Sequence, residues 1–287
     1  LAQRLERRLI GSEYAGAQVT PLEDFRVQID VPNVDQNQLG ALKKIIAARN
    51  DFSFHIVANT RDDVQLIELA RETDDTIVTD AEGDEIGRWV TVRHNGYEYA
   101  AVSVGDPVRG ITAEGGTIAL EAVYPTHGPD GSTSAAFDQI EFVSESEEDV
   151  GAQLEQVQLL LRLNPNQRHR ISGEHINSAY ATLDQVGQPA VSFYMTDKGS
   201  ALLSRITSSN LPDTENNWYR RMAIVFNDEV ISAPRLLSTI SDQGQITGDF
   251  TQREVDDMVA LLNAGRLPAN LKPEPVSETW VEPGARE

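Results

Sequence analysis

The apolar residues of this chain change period repeatedly, and that limits its class more than any single motif does. In "FRVQIDV", Phe25, Val27, Ile29 and Val31 alternate with Arg26, Gln28 and Asp30, the period-two pattern of a half-buried strand that Pro32 then stops. In "LAQRLERRLIGSE", Leu1, Leu5, Leu9 and Ile10 share one helical face that ends near Gly11. Asp35 with Gln38 three residues on predicts a capped helix, striped by Leu39, Leu42, Ile45 and Ile46. "FSFHIV" returns to alternation through Phe52, Phe54 and Ile56. Helix, strand, strand, helix, strand is most of a ferredoxin-like α+β unit, one outer strand short.

From Thr73 to Glu148 helical stripes are absent, and short strands alternate with Gly, Asp and Asn turns. This stretch reads as a β-rich insertion. "EEDVGAQLEQVQLLLRLNP" is expected to close it as a helix, apolar at Val150, Leu154, Val157 and Leu161 and ended by Asn164-Pro165. The next block is the most regular. "AVSFYM" predicts a strand, and "TDKGSALLSRITSSN" a helix capped by Thr196 with Leu202, Leu203 and Ile206 turned inward. Ala223 to Phe226 and Glu229 to Ala233 form a hairpin pattern around Asn227-Asp228, ended by Pro234. Gly244 and Gly248 bracket another short strand. Thr251 and Glu254 make a capping box for a helix striped by Val255, Met258, Val259 and Leu262 and stopped at Gly265. The tail offers a linker and one strand, Val276 to Val281, which would complete the first unit and join the two chain ends. The expected fold is therefore α+β, with a ferredoxin-like base from both ends, a β-rich insertion and an α+β head. The divisions are 1–72 for the first part of the base, 73–165 for the insertion and its connecting helix, 166–265 for the head, and 266–287 for the returning strand.

With 24 Lys and Arg against 45 Asp and Glu, the formal charge is −21, which argues against nucleic acid or an anionic lipid surface as partner. A soluble acidic exterior is the plainer reading. The absence of cysteine excludes disulfides, thiolate catalysis and Cys-based metal sites. No apolar run approaches the ~20 residues of a membrane helix, so this chain is not itself expected in the membrane. Leu1 is not an initiator methionine, and the chain reads as a piece of something longer.

The sequence carries no recognisable catalytic constellation. His55, His94, His127, His169 and His175 show no metal-ligand spacing, and Glu174-His175 are expected to point apart as strand neighbours. "DAEGDEIG" lacks the distal Glu of a calcium loop and reads as a hairpin turn. "GQITGD" has no GK[ST], and no GxSxG elbow occurs. No catalytic residue, metal or cofactor is expected.

The blocks "ISGEHINSAYATLDQVGQPAVSF", "GSALLSRITSSN", "MAIVFNDEVISAP" and "GQITGDFTQREVDDMVALLNAGRLPA", in this order, resemble the large exported domain of the SecD family. The opening, an Arg-rich helix followed by a strand, "VPNVD" and a helix, is similar to the start of that domain. Asn33 stands where the family commonly has Gly, which weakens a special backbone role there, and the Thr73 to Glu148 insertion exceeds the family's usual connection. The resemblance implies a non-enzymatic domain on the periplasmic side of the cytoplasmic membrane, between two membrane helices. It also implies contact with unfolded preprotein during proton-motive-force-driven export. The implied partners are SecF, or a fused SecF half, and the SecYEG channel, reached through the full-length protein. Within the head, Ile231, Leu236, Leu237 and Ile240, beside Pro234, are the candidate preprotein contacts, the equally weighted alternative being that the four fill the head's core. The competing reading is a secreted or membrane-tethered hydrolase or ligand-binding domain that uses the β-rich insertion.

Overall fold

The computed structural model describes the chain apart from residues 13, 15, 48–50, 95–100, 124–140, 145–153, 266, 268–270, 272–274 and 280–287. The N-terminal part supplies α1 (Ala2–Gly11), β1 (Gln18–Pro21), β2 (Val27–Asp30), α2 (Gln36–Ala47), β3 (Phe52–Val57) and α3 (Val64–Arg71). Then follow β4 (Ile77–Thr79), β5 (Glu85–Val92), β6 (Pro107–Thr112), β7 (Thr117–Val123), β8 (Glu141–Ser144) and β9 (Leu154–Arg162). The rest comprises β10 (Ile171–Ser172), β11 (Ile176–Leu183), β12 (Pro189–Met195), α4 (Asp197–Ser208), β13 (Met222–Phe226), β14 (Glu229–Ser232), β15 (Gln243–Ile246) and α5 (Gln252–Ala264).

Strands β1 and β2 pair antiparallel as an isolated ribbon, with Val19 opposite Ile29. Leu5, Leu9, Leu42 and Ile45 from α1 and α2 bury against it. The predicted cap of α2 forms: Asp35 Oδ1 accepts from Gln38 N at 2.8 Å, and Gln38 Oε1 accepts from Asp35 N at 3.0 Å. Phe25 lies outside β2 in a left-handed turn, with φ of 59°. Asn33 also takes φ of 57°, so the backbone there is left-handed and Asn is the non-glycine side chain that tolerates it. The special backbone role discounted from the sequence is present.

The ferredoxin-like reading fails at its last strand. β3 does not join β1 and β2; it pairs with β13, β10 and β9. Following the ladders, β3–β13–β14–β5–β9 returns to β3, so these five strands close into a ring. Val90, Val157, Leu159, Ala223, Val225 and Val230 fill its interior. The outer face of β3 carries Phe52, Phe54 and Ile56 into a second core with Phe193, Leu203, Val255 and Met258. β3 is thus the shared wall between the ring and the helices α4 and α5.

β9 corrects another expectation. The segment read as a helix is a strand from Leu154, while Val150 lies outside the described residues. Val157, Leu159 and Leu161 face the ring, and Leu160 on the other side packs with Trp89, Leu66 and Ile67. A strand buried on both faces loses its alternation, so its apolar run mimics a helical stripe. The tail is corrected too. Residues 276–279 form no strand, and the remainder of the expected strand lies outside the described residues. The chain ends still meet, by packing: Leu267 and Leu271 join the α1–α2 core, and Lys43 Nζ lies 2.7 Å from Glu278 Oε2.

Candidate interaction surface

The three-stranded sheet β11–β12–β15 is separate from the ring and, among the described residues, offers one face without a covering element. The β11–β12 hairpin is set by its turn: Asp184 Oδ1 accepts from the Val186 and Gln188 amides at 2.9 and 2.8 Å, and Gly187 takes φ of 86°. β15 pairs along the other side of β12, with Ser192 opposite Gln245 and Phe193 opposite Gly244. Gly244 leaves room for Phe193, since a Cβ there would lie 2.5 Å from its ring.

Strand alternation then sorts the side chains. Val191, Phe193, Met195 and Ala179 turn inward toward α4 and α5. Tyr180 and Tyr194 turn outward, 45% and 41% exposed, with ring centroids 6.0 Å apart. A hydrogen bond with Tyr180, followed by that ring's charge, raises the Tyr194 phenol above its usual range. At the hairpin end, Leu183 and Val186 are also exposed. Among the described residues, β11 and β15 each pair only with β12, leaving two open edges. On β11 the edge is partly closed. Asn263 of α5 accepts from Ala179 N and donates to Ala179 O, both at 2.8 Å.

The four residues chosen from sequence are not brought together on a surface. Ile231 and Leu236 are 3% and 1% exposed and belong to the core, and Ile240 packs against the same core. Leu237 alone is open, at 69%. The loop after Pro234 is pinned from both sides. Leu236 N donates to Arg220 O at 2.8 Å, and Ile240 N to the Thr207 hydroxyl at 2.9 Å. That pinning buries Leu236 and half-buries Ile240, and leaves Leu237, Ser238 and Thr239 exposed. The tyrosine pair escaped the sequence reading because it forms across a diagonal of two strands. Its signal was present: Tyr180 and Tyr194 occupy the polar phase of their strands.

Among the described residues, no group of three His, Asp or Glu side chains is placed to hold a metal ion. Glu174 and His175 do not point apart as strand neighbours would. A 3₁₀ turn over Gly173–His175 brings Glu174 Oε1 to 3.7 Å from His175 Nε2. The His175 Nδ1 accepts from Ser172 N at 3.1 Å, so this ring is a capping group. No helix among the described residues is long and apolar enough to cross a membrane.

Comparison with known proteins finds similarity in the second half of the chain. Residues 150–269 match the family described as SecDF, P1 head subdomain. Over 102 residues the chain is 39% identical to the protein translocase subunit SecD of Aquifex aeolicus, covering 36% of this chain and 19% of that protein. The SecD of Koribacter versatilis is 28% identical over 176 residues, 59% of this chain and 30% of that protein. The chain therefore spans only a minor part of the curated relatives' length. A solved structure of SecDF, described as a membrane component that enhances protein export, superposes with a TM-score of 0.50 at 17% identity, over 97% of this chain and 91% of that one. At that identity the likeness concerns the fold, which is mixed α+β in both. Residues 150–269 thus match the SecDF P1 head subdomain family, and the matches together support a SecD periplasmic domain.

Proposed function

We propose that this chain is a non-enzymatic periplasmic domain of a Sec translocon accessory subunit, and that its head contacts preprotein emerging from the channel. The observation that carries the reading is the uncovered face of β11–β12–β15 with its tyrosine pair. Tyrosine gives large contact area with few rotatable bonds and tolerates varied partners. An open strand edge beside it suits an extended chain, which gains main-chain hydrogen bonds there without a fixed sequence. Leu237 is the one residue of the original four that keeps this role, at the periphery.

In the full-length protein the partners would be SecF, or a fused SecF half, and SecYEG, with the proton-motive-force step carried by membrane segments. The base is proposed to comprise α1, β1, β2 and α2 with the returning tail, and the head the helices and sheet after β10. Such contacts are weak, because an unfolded partner must be ordered on binding.

The test is binding of a fluorescent, permanently unfolded polypeptide to the purified chain and to a Tyr180→Ser/Tyr194→Ser double variant. Aromatic truncation at a contact surface is expected to weaken binding by about tenfold or more, with little dependence on moderate salt. Unchanged affinity in a folded double variant, or loss of wild-type binding in moderate salt, would contradict the reading.

A further inference from the structure

A second feature lies where α4 meets β3 and β9 and is independent of the preprotein reading. Between α4, the end of β3 and the β9–β10 connection is a cavity of about 320 Å³. Its lining contains three arginines, Arg162, Arg170 and Arg205, and no carboxylate. That composition stands out on a chain of charge −21, with 45 acidic residues against 24 basic ones. The floor is apolar, contributed by Phe54, Ile56, Leu202 and Ile206.

The charges do not cancel within the site. Arg162 Nη1 lies 3.2 Å from Asp63, and Arg170 Nη1 lies 2.9 Å from Glu85. Arg205 has no carboxylate partner among the described residues; its Nη1 lies 3.2 Å from Nε2 of His169. A guanidinium N–H can only donate, so His169 Nε2 is the acceptor of this contact. Three guanidiniums and two carboxylates leave one positive charge over an apolar floor. His55, also lining the cavity, adds none: burial, then Arg88 and Arg170, hold its imidazole down at about 4.

We propose that this cavity binds a small monocarboxylate bearing an apolar group, with the carboxylate on Arg205 and the apolar part against Leu202, Ile206 and Phe54. The size is at the lower end of small-ligand sites, enough for one or two apolar residues or a short acyl chain. Guanidinium–carboxylate pairing is charge-assisted and geometrically matched, and it discriminates an acid from its amide. Two sources share this chemistry, the free C-terminus of a peptide and a fatty acid.

The experiment uses the whole chain and titrates three probes by calorimetry: N-acetyl-Leu-Leu with a free carboxylate, its C-terminal amide, and decanoate. The free-acid peptide is expected to bind about tenfold more tightly than the amide, a preference of the size a charge-assisted bond confers. Arg205→Glu should abolish that preference and Arg205→Lys keep part of it. Lys198→Ala, which removes a charge from the same helix away from the cavity lining, should leave it unchanged. Decanoate binding that requires Arg205, with or without the peptide, also upholds the site and names the acyl source. Equal binding of acid and amide, Arg205-independent binding, or no binding by either carboxylate would overturn the proposal. The tyrosine double variant should leave all three titrations unchanged, which separates this test from that of the preprotein surface.

Discussion

Gly199→Ala is expected to destabilise the chain by about 3 kcal/mol, the upper part of the range for a group forced into a packed site. A Cβ at 199 would lie 2.5 Å from the His175 carbonyl oxygen, 2.9 Å from the His175 Cβ and 2.9 Å from the Met195 methyl. The first of these is backbone and cannot rotate away. Nor can His175 retreat easily: its carbonyl accepts from the Thr196 amide at 2.8 Å, and Thr196 caps α4 through Gly199 N at 3.2 Å. The first turn of α4 would have to lift from the strands beneath it. The control is Gly40→Ala in α2, where no atom lies within 4 Å. There the loss of unfolded-state freedom and better helix propensity should give a change of about zero or a gain of up to ~1 kcal/mol. Urea unfolding of both variants checks the pair. Equal midpoints for Gly199→Ala and the wild type would show that the α4–His175 contact is not as tight as described.

The second large effect is on acid stability. His55 is on β3, its Nε2 2.9 Å from the Ser53 hydroxyl, and its pKa falls from 6.5 to about 4, first through burial and then through Arg88 and Arg170. A histidine whose folded pKa lies below its unfolded one binds its proton more readily when unfolded. Its stabilising contribution is complete above pH 6.5 and is lost as pH falls toward 4. Lowering the pH from 7 to 4.5 should therefore cost about 2–3 kcal/mol through this residue. His55→Gln keeps a neutral polar group there and should flatten the profile in that window. His175, also lowered mainly by burial, acts in the same direction and remains in both proteins. Asp106 acts oppositely, since burial against the pull of Arg221 raises its pKa. The comparison of wild type with His55→Gln isolates the one group. Parallel profiles for the two proteins would mean that His55 is not held neutral.

Local features were legible in the sequence where a single segment determines them. The cap of α4 by Thr196, the capping box of α5 from Thr251 and Glu254, and the hairpin at Asn227 and Asp228, with φ of 51° and 66°, all follow from neighbouring residues. What escaped depends on distant partners. Leu154, Val157 and Leu161 read as a helical stripe because nothing local reveals that β9 is sandwiched between other strands. α3 starts after Asp63, a cap-type residue whose carboxylate is taken up by Asn59 and Arg162, so no side-chain cap bond forms there. β3 was assigned to the first unit by proximity in sequence, whereas its main partner, β13, is supplied from Met222 onward. Leu236 and Leu237 are adjacent and equally apolar, yet one is core and the other surface. Only the anchoring of Leu236 N to Arg220 O separates them.

The central claim, that the open face of the head meets unfolded polypeptide, is tested most directly by site-specific photocrosslinking in the full-length protein during export. Crosslinkers at Tyr180, Tyr194 and Leu237 should capture a stalled preprotein, and one at Asp256, exposed on α5, should not. Leu236, buried in the core, supplies the second negative position. Crosslinks confined to the first three positions are the expected result. Equal capture at Asp256, or capture at none of the outward positions while export proceeds, would contradict the account.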